Sequence, residues 1–502
     1  MHYEVYQKTT ARADHRNSTT KPTQYPCVEL VHNYDWNDYT YFNWFSMWFF
    51  ISEEDYAYVG DVKIMTLKEI STKEALSSSW DGDLDDSFCS LGLNLKYYKR
   101  LKETFDKQDW ESVLKELRDS AFNPQIYELF QNVGEFRDSL LRDQASEEAL
   151  KYGKIFMNDI SPDEAYSFTY FYHEPYGAKS IIEFNANFTF DSKSYLRTIG
   201  IIGVNGTGKT QLLRHLTTDL IGEQVENFSR TPLFDSCVVL YSTPFDNYPT
   251  PIKKTRIPIY SICMEQKGAE IIEELKYSIQ SIMERPVLYG QNLTERYLKC
   301  ITEVVGYSVD GILECVELED DSIIYKFHPE MLEELIPIFS SGQLQLFSMI
   351  THVFSRVHLS SLFIIDEPEV HLHPHTILSF MRTLAGILHT FKSYAIIATH
   401  SPLIVRELVQ SNVQVFRTVD ENINILSPIS HQTFGEDITL LYYNIFGYNE
   451  KDSYFTSIVT RMLRELHSYE RVIEALSAEM SLSLNAQMII RNIAIELNIK
   501  DA

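Results

Sequence analysis

The run Gly203-Val204-Asn205-Gly206-Thr207-Gly208-Lys209-Thr210 constrains this chain more than any other eight residues. It fits GxxxxGK[ST] in full, and it has the flanks such a loop needs. Before it, RTIGIIG is a short apolar run that reads as a buried strand; after it, QLLRHLTTDL reads as a helix. Glycines let the backbone curl so that successive N–H groups point at phosphate oxygens, and the helix N-terminus adds a favourable field. Lys209 is then expected to reach the β- and γ-phosphates of ATP, and the Thr210 hydroxyl to ligate Mg²⁺. Gly203, Asn205, Gly206, Thr207 and Gly208 complete the expected phosphate cradle.

Three downstream segments add to this. Phe363-Ile364-Ile365-Asp366-Glu367-Pro368 is an apolar strand ending in two acids. Asp366 is expected near the Mg²⁺, and Glu367 is expected to act as general base on the attacking water. Ser340-Ser341-Gly342-Gln343 precedes the helical LQLFSMITHVF, with Asp366 lying 25 residues after Ser341. Ala398-Thr399-His400-Ser401-Pro402 closes another buried-strand run, SYAIIATH. Strand and helix alternate through this region, which predicts an α/β fold with a parallel, doubly wound sheet.

In that order, these motifs resemble the SMC and RecF side of the ABC ATPases. More narrowly, DEPE-x-x-LHP with ATHSP is similar to the overcoming-lysogenization-defect (OLD) family and related bacterial antiphage ATPases. The resemblance covers about residues 180–410. It implies an ABC-type P-loop head that dimerises head to head, with two ATPs between each P-loop and the opposite signature. Ser341, Gly342 and Gln343 would then meet the γ-phosphate held by the other protomer, and His400 would be the switch histidine. Several departures narrow the match. Thr210 and Ser340 are 130 residues apart, too close for a long coiled coil, and residues 403–502 hold no DxD pair for a Toprim nuclease. What remains resembles PtuA, the ATPase subunit of Septu and some retron systems. That implies a regulatory ATPase with a separate HNH-type nuclease, and in retrons an msDNA–reverse transcriptase complex. A RecF- or SMC-like repair ATPase that binds DNA directly is the alternative. The strand 237–249 stands in the place of the Q-loop, but offers Ser242 and Asp246 rather than glutamine.

Composition limits the partners. Lys and Arg number 44 against 70 Asp and Glu, a net charge of −26, which disfavours sequence-independent binding of duplex DNA. Six scattered cysteines without a CxxC pair predict free thiols in a reducing compartment. The start lacks the apolar core of a signal peptide, and the most apolar stretch, 44–51, is far short of the ~20 residues of a spanning helix. A cytoplasmic protein with no membrane partner is expected.

Three patterns compete with plainer readings. His371, His373 and His375 alternate on one segment as metal ligands would, yet they coincide with the LHP stretch of the resemblance. The aromatic stripe Tyr39, Tyr41, Phe45, Trp48, Phe49 and Phe50 has the form of a base-stacking platform, but almost no Lys or Arg accompanies it, so it reads as core. Lys253, Lys254 and Arg256 form a short basic run that is a solvated face or a contact for a partner. The chain divides into residues 1–179, a β-then-α extension; 180–410, the ATPase core; and 411–502, a mostly helical tail.

Overall fold

A computed structural model describes residues 1–6, 21–33, 41–158, 160–161, 164–175, 181–189, 193–222, 225–250, 255, 257–265, 269–285, 287–288, 291–305, 311–317, 323–370, 372–420, 423–446 and 453–499. The fold is α/β: a head built on a mainly parallel sheet with a P-loop, preceded by a mixed α+β unit and followed by helices.

The head is built on a seven-stranded sheet. Its order is Ile259–Cys263, Cys237–Tyr241, Leu362–Asp366, Tyr394–Thr399, Thr198–Ile202, Val413–Asp420, Ile423–Pro428. The first six run parallel, and Ile423–Pro428 closes the edge antiparallel. Both faces are covered, as a parallel sheet requires. Ile202, Val238, Leu240, Phe363, Ile365 and Ile397 face one core, packed by the helices Ala269–Glu284, Leu293–Val305, Ser341–Arg356 and Pro374–Thr390. Their alternates Ile201, Val239, Ile364 and Ile396 face the other, under the helix Lys209–Ile221. Strand periodicity of two thus becomes two hydrophobic layers. Each such fully buried aliphatic side chain contributes roughly 1.5–3 kcal/mol.

Register sets the site. Asp366 pairs with Ala398, Ala398 with Ile201, and Thr399 with Ile202. The carboxyl ends of the P-loop strand, the histidine strand and the acidic strand therefore finish level, and their loops meet at one rim. Ligands bind at such a rim in open α/β sheets.

Two of the expected boundaries move. Phe168–His173 pairs antiparallel with Ile181–Ala186 in a two-stranded sheet, and its Phe168, Tyr170 and Tyr172 are buried in one core with Ile201, Val239 and Ile364, so the head begins before residue 180. Val413–Asp420 pairs parallel with the P-loop strand, and Leu441 and Ile445 are buried in the head's core. Residues 411–446 thus belong to the head, because these strands satisfy its backbone hydrogen bonds. Only the helices Tyr454–Leu466, Tyr469–Glu479 and Leu484–Glu496 form a separate small core.

The N-terminal unit is a six-stranded sheet over helices Leu95–Thr104, Lys107–Glu116, Pro124–Phe130 and Gln144–Met157. Asn123 and Pro124 are the N-cap and first residue of Pro124–Phe130. The aromatic stripe is structural. Phe45 and Phe50 are buried, and Phe49 packs on Phe105 with ring centres 4.3 Å apart. Tyr41 is partly exposed, and Tyr39 lies outside the described residues. The unit is joined to the head by Lys154 Nζ to Asp235 Oδ1 at 2.6 Å and by the contact of the Glu128 carboxylate with His358 Nδ1. No helix among the described residues is long and apolar enough to cross a membrane.

Candidate functional site

A cleft of about 450 Å³ opens at the rim, lined by Asn205, Gly206, Gly208, Lys209, Thr210, Gln211, Ser242, Thr243, Asp246, Asp366, Glu367, Val370 and His400. The loop keeps its shape through backbone geometry. Gly206 and Gly208 have φ of +83° and +103°, where a side chain is strained, and Gly208 caps the helix Lys209–Ile221. Gly203 is required for space: a Cβ there would lie 2.7 Å from the carbonyl oxygen of Phe416. The Thr207 hydroxyl donates to the Val204 carbonyl at 3.0 Å, bracing the loop from below. Lys209 Nζ donates to the carbonyls of Gly203 at 2.9 Å and Val204 at 3.3 Å, and lies 3.3 Å from Glu367 Oε1. A buried cation is thereby aimed at the loop's mouth.

Across the cleft the acidic strand ends in a tight turn. Glu367 has φ of +53°, a conformation rare for a residue with a side chain, and its N–H donates to the Ala398 carbonyl at 2.9 Å. Strain of this kind collects at functional sites. The turn points Asp366 to one side of the cleft and Glu367 to the other. The Glu367 carboxylate contacts His400 Nδ1. The Ser242 hydroxyl donates to the Glu367 carbonyl at 2.7 Å and the Asp366 carbonyl at 3.2 Å, so it holds the turn's backbone. Asp246 lines the cleft from a one-turn helix.

Asp366 fits a metal. Tyr248 donates its phenolic hydrogen to Oδ2 at 2.9 Å, while Oδ1 is buried without a hydrogen-bond partner. Burial pushes this carboxyl up to about 6, and hydrogen bonding by Thr210 and Tyr248 opposes the rise. A buried carboxylate oxygen left unsatisfied beside a threonine hydroxyl is a donor set that suits Mg²⁺. Thr210 and Asp366 are the residues that would hold it.

Ser341, Gly342 and Gln343 do not line the cleft of their own chain. They form the first turn of the helix Ser341–Arg356, where Ser340 is the N-cap. The Gln343 N–H donates to Ser340 Oγ at 3.3 Å, and Gln343 Oε1 accepts from the Ser340 N–H at 3.0 Å. The four residues thus form a capped helix N-terminus, with Ser340 and Ser341 exposed and Gly342 and Gln343 half-buried. His373 caps the helix Pro374–Thr390, His375 is exposed, and His371 lies outside the described residues, as do Lys253, Lys254 and Arg256. Neither His373 nor His375 belongs to a metal-capable cluster among the described residues.

Two site residues escape the motifs. Tyr248 sits in the irregular segment FDNYP, where no pattern marks a partner for Asp366. Glu369 is the third acid of DEPE, but only the fold brings it against Thr399 and His400: Oε1 accepts from the Thr399 hydroxyl at 2.5 Å and from the His400 N–H at 2.8 Å.

A phosphate loop, a metal-suited aspartate, a glutamate and a histidine on adjoining strand ends define the core of a P-loop ATPase site. Comparison with known proteins adds four likenesses. Residues 323–406 match the family described as AAA domain, putative AbiEii toxin, Type IV TA system. Protein ea59 of Escherichia phage lambda is 24% identical, over 89% of this chain and 91% of the phage protein. Among solved structures, the RNase-L Inhibitor aligns at 17% identity and TM-score 0.29, over 53% of this chain and 40% of that one. The Smc head bound to the C-winged helix domain of ScpA aligns at 10% identity and TM-score 0.28, over 52% of this chain and 95% of that one.

Proposed function

We propose that the chain binds ATP with Mg²⁺, hydrolyses it in a site shared by two copies, and uses that cycle to control a separate effector in phage–bacterium conflict. The observation that carries the ATPase part is the single cleft holding Lys209, Thr210, Asp366, Glu367 and His400. Glu367 takes a proton from the attacking water, Lys209 and the loop's N–H groups hold the phosphates, and His400 contacts both Glu367 and the region where a γ-phosphate would lie. Bound Mg²⁺ would neutralise phosphate charge, held through Thr210 and Asp366. Ser341 supports sharing between copies: it is exposed at a helix N-terminus and absent from its own cleft.

The conflict role has its own supports. The matched family's description names a toxin of a toxin–antitoxin system, and the 24%-identical relative is a phage protein. A net charge of −26 favours a protein effector, such as an HNH-type nuclease, over direct contact with duplex DNA. The test is turnover by purified protein. Lys209→Ala is expected to lose ATP binding and hydrolysis. Glu367→Gln should still bind ATP while turnover drops at least about a hundredfold. Wild-type turnover in both variants would remove this reading.

A further inference from the structure

We propose that Glu369 is a positioning residue for this reaction: it anchors the His400 loop to the acidic turn, so that His400 and Glu367 stay in register across the cleft. The inference rests on the ATPase reading above and concerns a residue that touches neither the phosphate loop nor the metal-suited pair.

Its geometry is specific. The Glu369 side chain is 6% exposed, whereas that of His400 is 43% exposed. One oxygen, Oε1, accepts from the Thr399 hydroxyl at 2.5 Å and from the His400 N–H at 2.8 Å, and lies 3.2 Å from His400 Nδ1. Thr399 passes the constraint on, since its Oγ1 accepts from the Ser401 N–H at 2.9 Å. Three consecutive residues, 399 to 401, are therefore fixed through one buried carboxylate. His400 lies in the short link between the strand Tyr394–Thr399 and the helix Pro402–Arg406, where its ring contacts Glu367 and its backbone N–H is held by Glu369.

The arrangement is costly for stability. Glu369 Oε2 is buried with no hydrogen-bond partner among the described residues, and burial, with the second carboxylate of Glu367 nearby, raises the Glu369 pKa. An unsatisfied buried oxygen beside a like charge is a feature packing alone does not favour. Its return is control of a loop that carries the histidine. With the backbone of His400 held, the exposed imidazole can move between Glu367 and a phosphate without losing its place.

The experiment compares full-length wild type with Glu369→Ala and Glu369→Gln, by amide hydrogen exchange without nucleotide and by steady-state ATP turnover. In Glu369→Ala, exchange at the His400 amide should speed up about tenfold or more, while the helix Lys209–Ile221 stays protected. Turnover should fall about tenfold or more at saturating ATP, with KM within about threefold, because nucleotide binding belongs to the P-loop. Glu369→Gln keeps an acceptor oxygen and should restore protection and most of kcat. The double variant Glu369→Ala/His400→Ala should be no slower than His400→Ala alone. Thr399→Val, which removes one donor, should give a partial loss and serves if the alanine variant fails to fold. Unchanged exchange and kcat in Glu369→Ala would overturn the proposal. So would faster exchange throughout the head, or a double variant slower than His400→Ala. If wild type itself turns over no ATP, the ATPase reading falls, and exchange at His400 still decides whether Glu369 is the anchor.

Discussion

His352 shows what burial does to a single side chain. It is 2% exposed, with Nδ1 3.1 Å from the Ser278 hydroxyl, and burial with the nearby Arg356 charge pushes its pKa down to about 3. In the unfolded chain a histidine titrates near ~6.5. Below that pH the unfolded chain takes a proton that the folded protein refuses, so stability is full above about 6.5 and is lost as pH falls toward 3. The loss is about 1.4 kcal/mol per unit, or about 2 kcal/mol between pH 6.5 and 5. His352→Gln should therefore lose less Tm than wild type between pH 7 and 5 in parallel melts; equal losses would show that folded His352 takes up its proton as readily as the unfolded chain does. The same scale separates what the motifs reveal from what they miss. Lys209 and Glu367 are marked by spacing alone, because phosphate and water chemistry demand those side chains at a strand end. Tyr248 and Glu369 are not marked, because a hydrogen bond to Asp366 or His400 can come from any segment that the fold brings near.

At the scale of an element, the helix Ser341–Arg356 carries two separable properties at one end. Ser340 caps it, satisfying the Gln343 N–H while Gln343 reaches back to the Ser340 N–H. Its buried residues, among them Leu346, Phe347, Ile350 and Phe354, pack into the head's core. Ser340→Ala should therefore cost about 1 kcal/mol and lower Tm by a few degrees, with single-site nucleotide binding intact. Ser341 is exposed, so Ser341→Arg should leave Tm near wild type yet abolish hydrolysis. Calorimetry and turnover on the two variants check this, and equal losses of turnover without a difference in Tm would mean the cap is not the structural element. The strand Val413–Asp420 makes the opposite point. Its sequence, VQVFRTVD, resembles an ordinary alternating strand, and nothing local says that it pairs beside the P-loop strand.

At the scale of the whole molecule, the proposed sharing of the site between two copies has a direct test. Lys209→Ala and Ser341→Arg proteins should each be inactive alone. Mixed, they form dimers in which one site has an intact loop and an intact signature while the other carries both lesions. Turnover should return on mixing, through that one working site, and a crosslink from Ser341 to the opposing P-loop should form with ATP. Neither result would leave the shared site without support. The sequence by itself determined the α/β class, the phosphate loop, the acidic strand end and the His400 strand, because each is a local pattern whose period or spacing is dictated by backbone geometry and phosphate chemistry. Tertiary structure alone decided that the head extends from before residue 180 to residue 446, since strand pairing is satisfied across long stretches of chain. It alone placed Tyr248 on Asp366, Ser242 on the turn and Glu369 under His400. Those contacts join segments up to 125 residues apart, and hydrogen bonds over such distances leave no periodic trace in a chain.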